Sequence, residues 1–184
     1  MKDMFTEKEF EFFNSIAFSN FSANFVIITD YDIKNVFPLL VLFNKVTLND
    51  IYTNIHLYNY KHIEYLNFLK TLLNNPPIDM NTHIIKGEDS FALEMHLYND
   101  QTNDIILIAS NDISKVKDVL PICWKKLKSN GCLIIKGVKH ESKNEIQTTF
   151  ASFITDLPSN IRINICLIEN TENLYFIKKP CYAI

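Results

Sequence analysis

Five short runs dense in isoleucine, leucine and valine constrain this chain most: FVIIT (25–29), NIHLYN (54–59), THIIK (82–86), DIILIA (104–109) and CLIIKG (132–137). Each has the length of a strand, and each is separated from the next by a stretch long enough for a helix. Several lack the in-out alternation of a half-exposed strand, as strands do when helices cover both faces of a parallel sheet. The alternation predicts an α/β domain built from βα units around one mostly parallel sheet.

The intervening stretches carry helix signals of their own. Ile63, Leu66, Leu69 and Leu73 form an apolar stripe that stops at Asn74-Asn75-Pro76-Pro77, where proline forbids continuation. A second helix is expected from about Ile113, with Val116, Leu120, Cys123, Trp124 and Leu127 facing inward and a left-handed C-cap at Asn130-Gly131. Pro121 falls inside it and should kink it. Ser142 and Glu145 have capping-box spacing ahead of Ile146, Phe150, Phe153, Ile154 and Leu157, one face of an amphipathic helix. At the start, Thr6 and Glu9 form another capping box, with Phe5 placed to staple onto Phe10 and with Phe10, Phe13 and Ala17 at helical spacing. The finish differs: INICLIE (163–169), a polar NTEN turn (170–173) and LYFIKK (174–179) read as an antiparallel hairpin at the sheet's edge.

The length of 184 residues suits one domain spanning 1–184, with residues 1–23 as a helical extension and 24–180 as the core. A net charge of -3 and no long lysine cluster argue against a nucleic-acid partner. Lys125, Lys126 and Lys128 read as a solvated helix end. The opening MKDMFTEKEFEFF has no apolar signal region, and the longest apolar run, VFPLLVLF (36–43), is too short for a bilayer, so a cytoplasmic protein without a membrane partner is expected. Cys123, Cys132, Cys166 and Cys181 lack metal-ligand or disulfide spacing and are expected to be reduced, mostly buried thiols. The histidines, at 56, 62, 83, 96 and 140, show no HxH or HExxH spacing, so no metal site is expected.

Five βα units closed by a hairpin follow the element order of the class I S-adenosylmethionine-dependent methyltransferases, and residues 24 to 180 resemble that family. The segment NDIILIASNDISKVKDVLPICWKKLKSNGCLIIKG is similar to the family's fourth strand, helix and fifth strand, with Leu127-Lys128-Ser129-Asn130-Gly131 where the family writes L-K-P-G-G. THIIKGEDSFALEM resembles the third strand and the segment that touches the adenine. The resemblance implies a Rossmann-like methyltransferase fold with helices on both faces, and S-adenosylmethionine as cofactor. By position in the motifs it implies Thr29, Asp30, Asn59, Glu88, Asp89 and Ser110 as cofactor-binding residues, and Asn111 and Asp112 as residues facing the methyl acceptor.

The chain departs from the family where the cofactor is gripped. Glycine after the first strand normally permits positive φ and close backbone approach, whereas Thr29-Asp30-Tyr31-Asp32 stands there. The second strand ends in Tyr58-Asn59-Tyr60, and an amide lacks the two equivalent acceptor oxygens with which a carboxylate takes both ribose hydroxyls. Neither a metal-binding acid nor an Asn/Asp-Pro-Pro-aromatic turn follows the fourth predicted strand, which ends Ala109-Ser110-Asn111-Asp112-Ile113. Two functions are compatible with these residues: a divergent methyltransferase, or a methyltransferase-fold binding module or assembly subunit that no longer takes the cofactor. The partner would be an unidentified small molecule or a protein.

Overall fold

The computed structural model describes residues 5–18, 23–29, 39, 53–59, 103–137, 143–162, 166–171 and 174–181. In chain order these form α1 (Glu7–Phe18), β1 (Ala23–Thr29), β2 (Thr53–Asn59), β3 (Asn103–Ala109), α2 (Ile113–Lys126), β4 (Leu127–Lys136), α3 (Lys143–Asp156), α4 (Ser159–Arg162), β5 (Cys166–Thr171) and β6 (Leu174–Lys178). The expected strand at 82–86, the helix ending near Asn74 and the Ser142 cap lie outside the described residues.

Six strands form one sheet in the order β2-β1-β3-β4-β6-β5. The first four run parallel, and β6 enters antiparallel between β4 and β5. The central strands are apolar on both faces because both faces are covered. Val26, Ile28, Ile106, Ile108, Leu133 and Ile135 join the cluster packed under α2 and α3, with Val116, Leu120, Trp124, Ile146 and Phe150 from the helices. Since successive side chains point to opposite faces, Ile27, Thr29, Leu107, Ala109, Ile134 and Lys136 belong to the other face. There α1 docks: Phe5 and Phe13 are buried, and the Phe12 ring lies 4.7 Å from that of Phe176 on β6. Burial of the two rings contributes about 2 kcal/mol each, so α1 is part of the core.

Local signals at α1 act as predicted. Glu9 Oε2 accepts from the Thr6 N–H at 2.8 Å, Thr6 Oγ1 accepts from the Glu9 N–H at 3.3 Å, and the rings of Phe5 and Phe10 meet at 5.9 Å. Pro121 sits inside α2, Ile146 and Phe150 are buried along α3 as its periodicity requires, and Leu157 is buried just past its end.

Several boundaries differ from expectation. Helix α2 ends at Lys126, and Leu127 is already extended at φ -77° and ψ 134°, so Asn130-Gly131 is not its C-cap. Asn130 does adopt a positive φ of 65°, inside β4. The reason is a bulge: between the pairs Asn103–Leu127 and Ile105–Cys132, β4 uses more residues than β3. Within it, the Asn130 N–H donates to the Lys179 carbonyl and the Lys179 N–H to the Gly131 carbonyl, at 2.9 and 2.8 Å. A Cβ on Gly131 would come within 2.9 Å of the Asp104 carbonyl oxygen, so the bulge requires glycine there. Lys125 is exposed in the last turn of α2 as expected of a solvated helix end, whereas Lys126 is buried and Lys128 forms an ion pair with Asp104 at 2.9 Å, which corrects that reading for these two. The first hairpin strand is described over Cys166–Thr171, so it runs two residues past the expected end at 169, and the expected start at 163–165 lies outside the described residues.

The end of α2 is capped from far along the chain. Lys179, buried after β6, donates from Nζ to the carbonyls of Trp124 at 2.9 Å and Leu127 at 2.7 Å, and lies 5.4 Å from the centre of the Trp124 ring. A cation here offsets the negative end of the helix and satisfies carbonyls that the helix leaves open. Lys179→Met, which keeps the stem and removes the donors, should therefore lower stability by about 2 kcal/mol, read as a reduced urea midpoint. An unchanged midpoint would show that the cap contributes nothing.

Candidate functional site

Parallel strands all present their carboxyl ends at one rim, and here those ends are level. Asn59 of β2 pairs with Thr29 of β1, Thr29 pairs with Ala109 of β3, and Ala109 pairs with Lys136 of β4. The chain passes from β1 to β2 on one side and then reaches β3 on the other side of β1. Strand order thus reverses between β1 and β3, and a crevice at such a reversal is where open α/β sheets bind ligands.

Four of the candidate positions have described surroundings. Thr29, the last residue of β1, is completely covered by protein. Ser110, Asn111 and Asp112 form the turn from β3 into α2. Ser110 is buried and its Oγ accepts the Asp112 N–H at 3.0 Å. Asp112 is the N-cap of α2, with Oδ1 accepting the N–H groups of Ser114 at 3.1 Å and Lys115 at 3.3 Å. These bonds satisfy helix donors that have no intrahelical partner. The Asp112 side chain is nevertheless 44% exposed, and its Oδ2 forms an ion pair with Lys115 Nζ at 4.0 Å. Asn59 is placed by its backbone at the end of β2, level with Thr29. Asp30, Glu88 and Asp89 lie outside the described residues.

The structure adds a charged pair that the sequence reading did not single out. Lys136, at the rim end of β4, is buried and its Nζ meets Glu9 Oε1 of α1 at 2.5 Å, with side chains 5% and 1% exposed. The available signal was a lysine closing an otherwise apolar strand, CLIIK. Its partner lies 127 residues away, beyond any local pattern.

Away from the rim, a cleft of about 340 Å³ opens between α2 and α3, where Lys117, Pro121, Ser152 and Asp156 border it. It shares no residue with the strand ends and belongs to the helix surface. Among the described residues, no group of three His, Cys, Asp or Glu side chains could hold a metal ion. No helix among them is long and apolar enough to cross a membrane.

The thiols are expected to be mostly buried, and the three with described side chains are unevenly so. Cys123 is buried, Cys132 is half-buried and Cys181 is exposed. Burial pushes the Cys123 thiol far up and raises that of Cys132, where the Lys178 charge partly opposes the rise. Since the thiolate is the reactive form, neither is a nucleophile at neutral pH. Of these three, Cys181 should react first with a disulfide reagent, and Cys123 should react only on unfolding. Early modification of Cys123, located by peptide mapping, would contradict its burial. Asp112→Ala should lower stability by about 1 kcal/mol through loss of the cap, measured by urea denaturation.

No protein-family model and no curated protein sequence matches the chain. Solved structures do. The chain is similar to an S-adenosylmethionine-dependent O-methyltransferase from Thermotoga maritima, with a TM-score of 0.63 at 14% identity over 100% of this chain and 69% of that one. It is similar to an rRNA methylase from Streptococcus thermophilus, with a TM-score of 0.59 at 11% identity over 94% of each chain. It is also similar to a precorrin-6y C5,15-methyltransferase from Geobacter metallireducens, with a TM-score of 0.58 at 13% identity over 98% of this chain and 93% of that one. With its switch point between β1 and β3 and its antiparallel β6 inserted beside β4, the chain has the Rossmann-like fold of the class I S-adenosylmethionine-dependent methyltransferases.

Proposed function

We propose that the chain is a divergent S-adenosylmethionine-dependent methyltransferase whose cofactor and acceptor meet across the carboxyl ends of β1 and β3. The observation that carries this reading is the level row Asn59, Thr29 and Ala109 at the point where strand order reverses. The similar proteins named above are methyltransferases acting on different acceptors, so their likeness supports the reaction class and leaves the acceptor open.

In this reading Asp30, Asn59, Glu88 and Asp89 hold the cofactor through its polar groups, the Asn59 amide bonding a ribose hydroxyl and Glu88 or Asp89 accepting from the adenine amino group. Thr29, being covered, contributes through its backbone. Ser110, where β3 ends, would line the cofactor's site, and its bond to the Asp112 N–H fixes the turn. S-adenosylmethionine supplies a methyl group on a sulfonium, which needs an aligned nucleophile and little else. Asn111 and Asp112 supply that alignment: Asp112 is oriented by its cap bonds through Oδ1, and its Oδ2, part-exposed beside Lys115, is the oxygen that would take a proton from the acceptor.

One observation favours a second reading. Thr29-Asp30-Tyr31-Asp32 places side chains where glycines usually let a ligand approach the backbone, which suits a binding module or assembly subunit that has lost the cofactor.

Isothermal titration with S-adenosylmethionine and S-adenosylhomocysteine separates the two. The enzyme reading predicts micromolar binding, weakened about tenfold or more by Asp30→Ala or Asp89→Ala, each with an unchanged melting temperature. Absence of heat and of competition at millimolar ligand would favour the second reading.

A further inference from the structure

Lys136 spends little of its hydrogen-bonding capacity. An ammonium carries three N–H donors. Among the described residues this one meets a single acceptor, Glu9 Oε1, and lies 6.0 Å from the centre of the Phe5 ring. The second Glu9 oxygen is committed to the Thr6 N–H. Two N–H donors of a side chain only 5% exposed are thus left for something else.

Such an arrangement is costly if it serves stability alone. Burying a cation carries a desolvation penalty that one ion pair rarely outweighs, and a well-packed apolar pair is often as stable. The neighbours on this face, Phe5, Phe13 and Ile134, are already apolar and buried, so a methionine or leucine at 136 would continue the core. The position also matters. Lys136 pairs with Ala109 and Ala109 with Thr29, so the lysine stands two strands from the end of β1, about 10 Å away at ordinary strand spacing. All three belong to the same face and to the rim.

We infer that Lys136 is an anion-binding residue, whose unspent N–H groups take a carboxylate at the rim while Glu9 holds the ammonium in place. On the methyltransferase reading this carboxylate belongs to the acceptor, which makes the acceptor an acidic small molecule held beside β3 and β4. That assignment rests on the reading above, whereas the anion site itself does not. Glu9 sets the strength of the site, because its own negative charge opposes a second anion at the same cation.

Benzoate is a suitable probe, titrated calorimetrically against chloride at equal ionic strength, without S-adenosylmethionine. The expected result is saturable binding to the wild-type chain, tightened about tenfold in Glu9→Gln and absent in Lys136→Met. Lys136→Arg, which keeps the cation, should retain binding. Should Lys136→Met fail to fold, Glu9→Gln still decides, since a purely structural pair predicts a lower melting temperature and no benzoate heat in that variant. Absence of saturable heat in both wild type and Glu9→Gln overturns the anion site, whatever S-adenosylhomocysteine does. Benzoate binding without any S-adenosylhomocysteine binding would uphold the site and reject the methyltransferase reading.

Discussion

The parallel register of β1 between β2 and β3 is the constraint on which the rest depends. It brings Asn59, Thr29 and Ala109 to one level and makes the strand order reverse beside β1. Parallel strands cannot be joined by tight turns, so each connection must cross over the sheet and cover a face. The chain meets that demand with strands apolar on both sides, and in return the carboxyl ends of the described parallel strands lie at the same rim. The turn Ser110-Asn111-Asp112 shows the coupling: its side chains close the β3-to-α2 junction while one Asp112 oxygen remains accessible.

A second set of interactions, long in sequence and short in space, holds the C-terminal half in place. Lys179 caps α2 across the sheet, its backbone pairs with the β4 bulge, and Gly131 allows that bulge to approach Asp104. On the opposite face Glu9 and Lys136 fix α1 in register with the end of β4, while Phe5, Phe13 and the Phe12–Phe176 contact supply the apolar attachment. Dispersion and burial dock the helix, and the ion pair selects where along the sheet it docks.

The fold was legible because its signals are local. Apolar runs such as FVIIT and DIILIA define strands by composition, and the Thr6–Glu9 capping box and the α3 stripe lie within a few residues of each other. The end of α2 was misread for a physical reason. Asn130-Gly131 has the composition of a C-cap and indeed adopts a left-handed turn, but the helix stops earlier because Lys179, 52 residues on from Leu127, takes its carbonyls and β4 begins at once. The burial of Lys126 and the Glu9–Lys136 pair were invisible for the same reason: each depends on a neighbour brought in by the fold. At the candidate site, position could be read from the βα order, but chemistry could not, since Thr29-Asp30-Tyr31-Asp32 lacks the glycines by which the resembled family's cofactor turn is recognised.

On the methyltransferase reading, this rim and no other surface receives the cofactor. Amide chemical-shift mapping with S-adenosylhomocysteine on uniformly ¹⁵N-labelled protein tests it most directly. Perturbations should concentrate at Thr29, Asn59 and Ser110 to Asp112, with the residues lining the α2–α3 cleft, Lys117 and Ser152 among them, unmoved. Perturbations centred on that cleft, or none at saturating ligand, would contradict it.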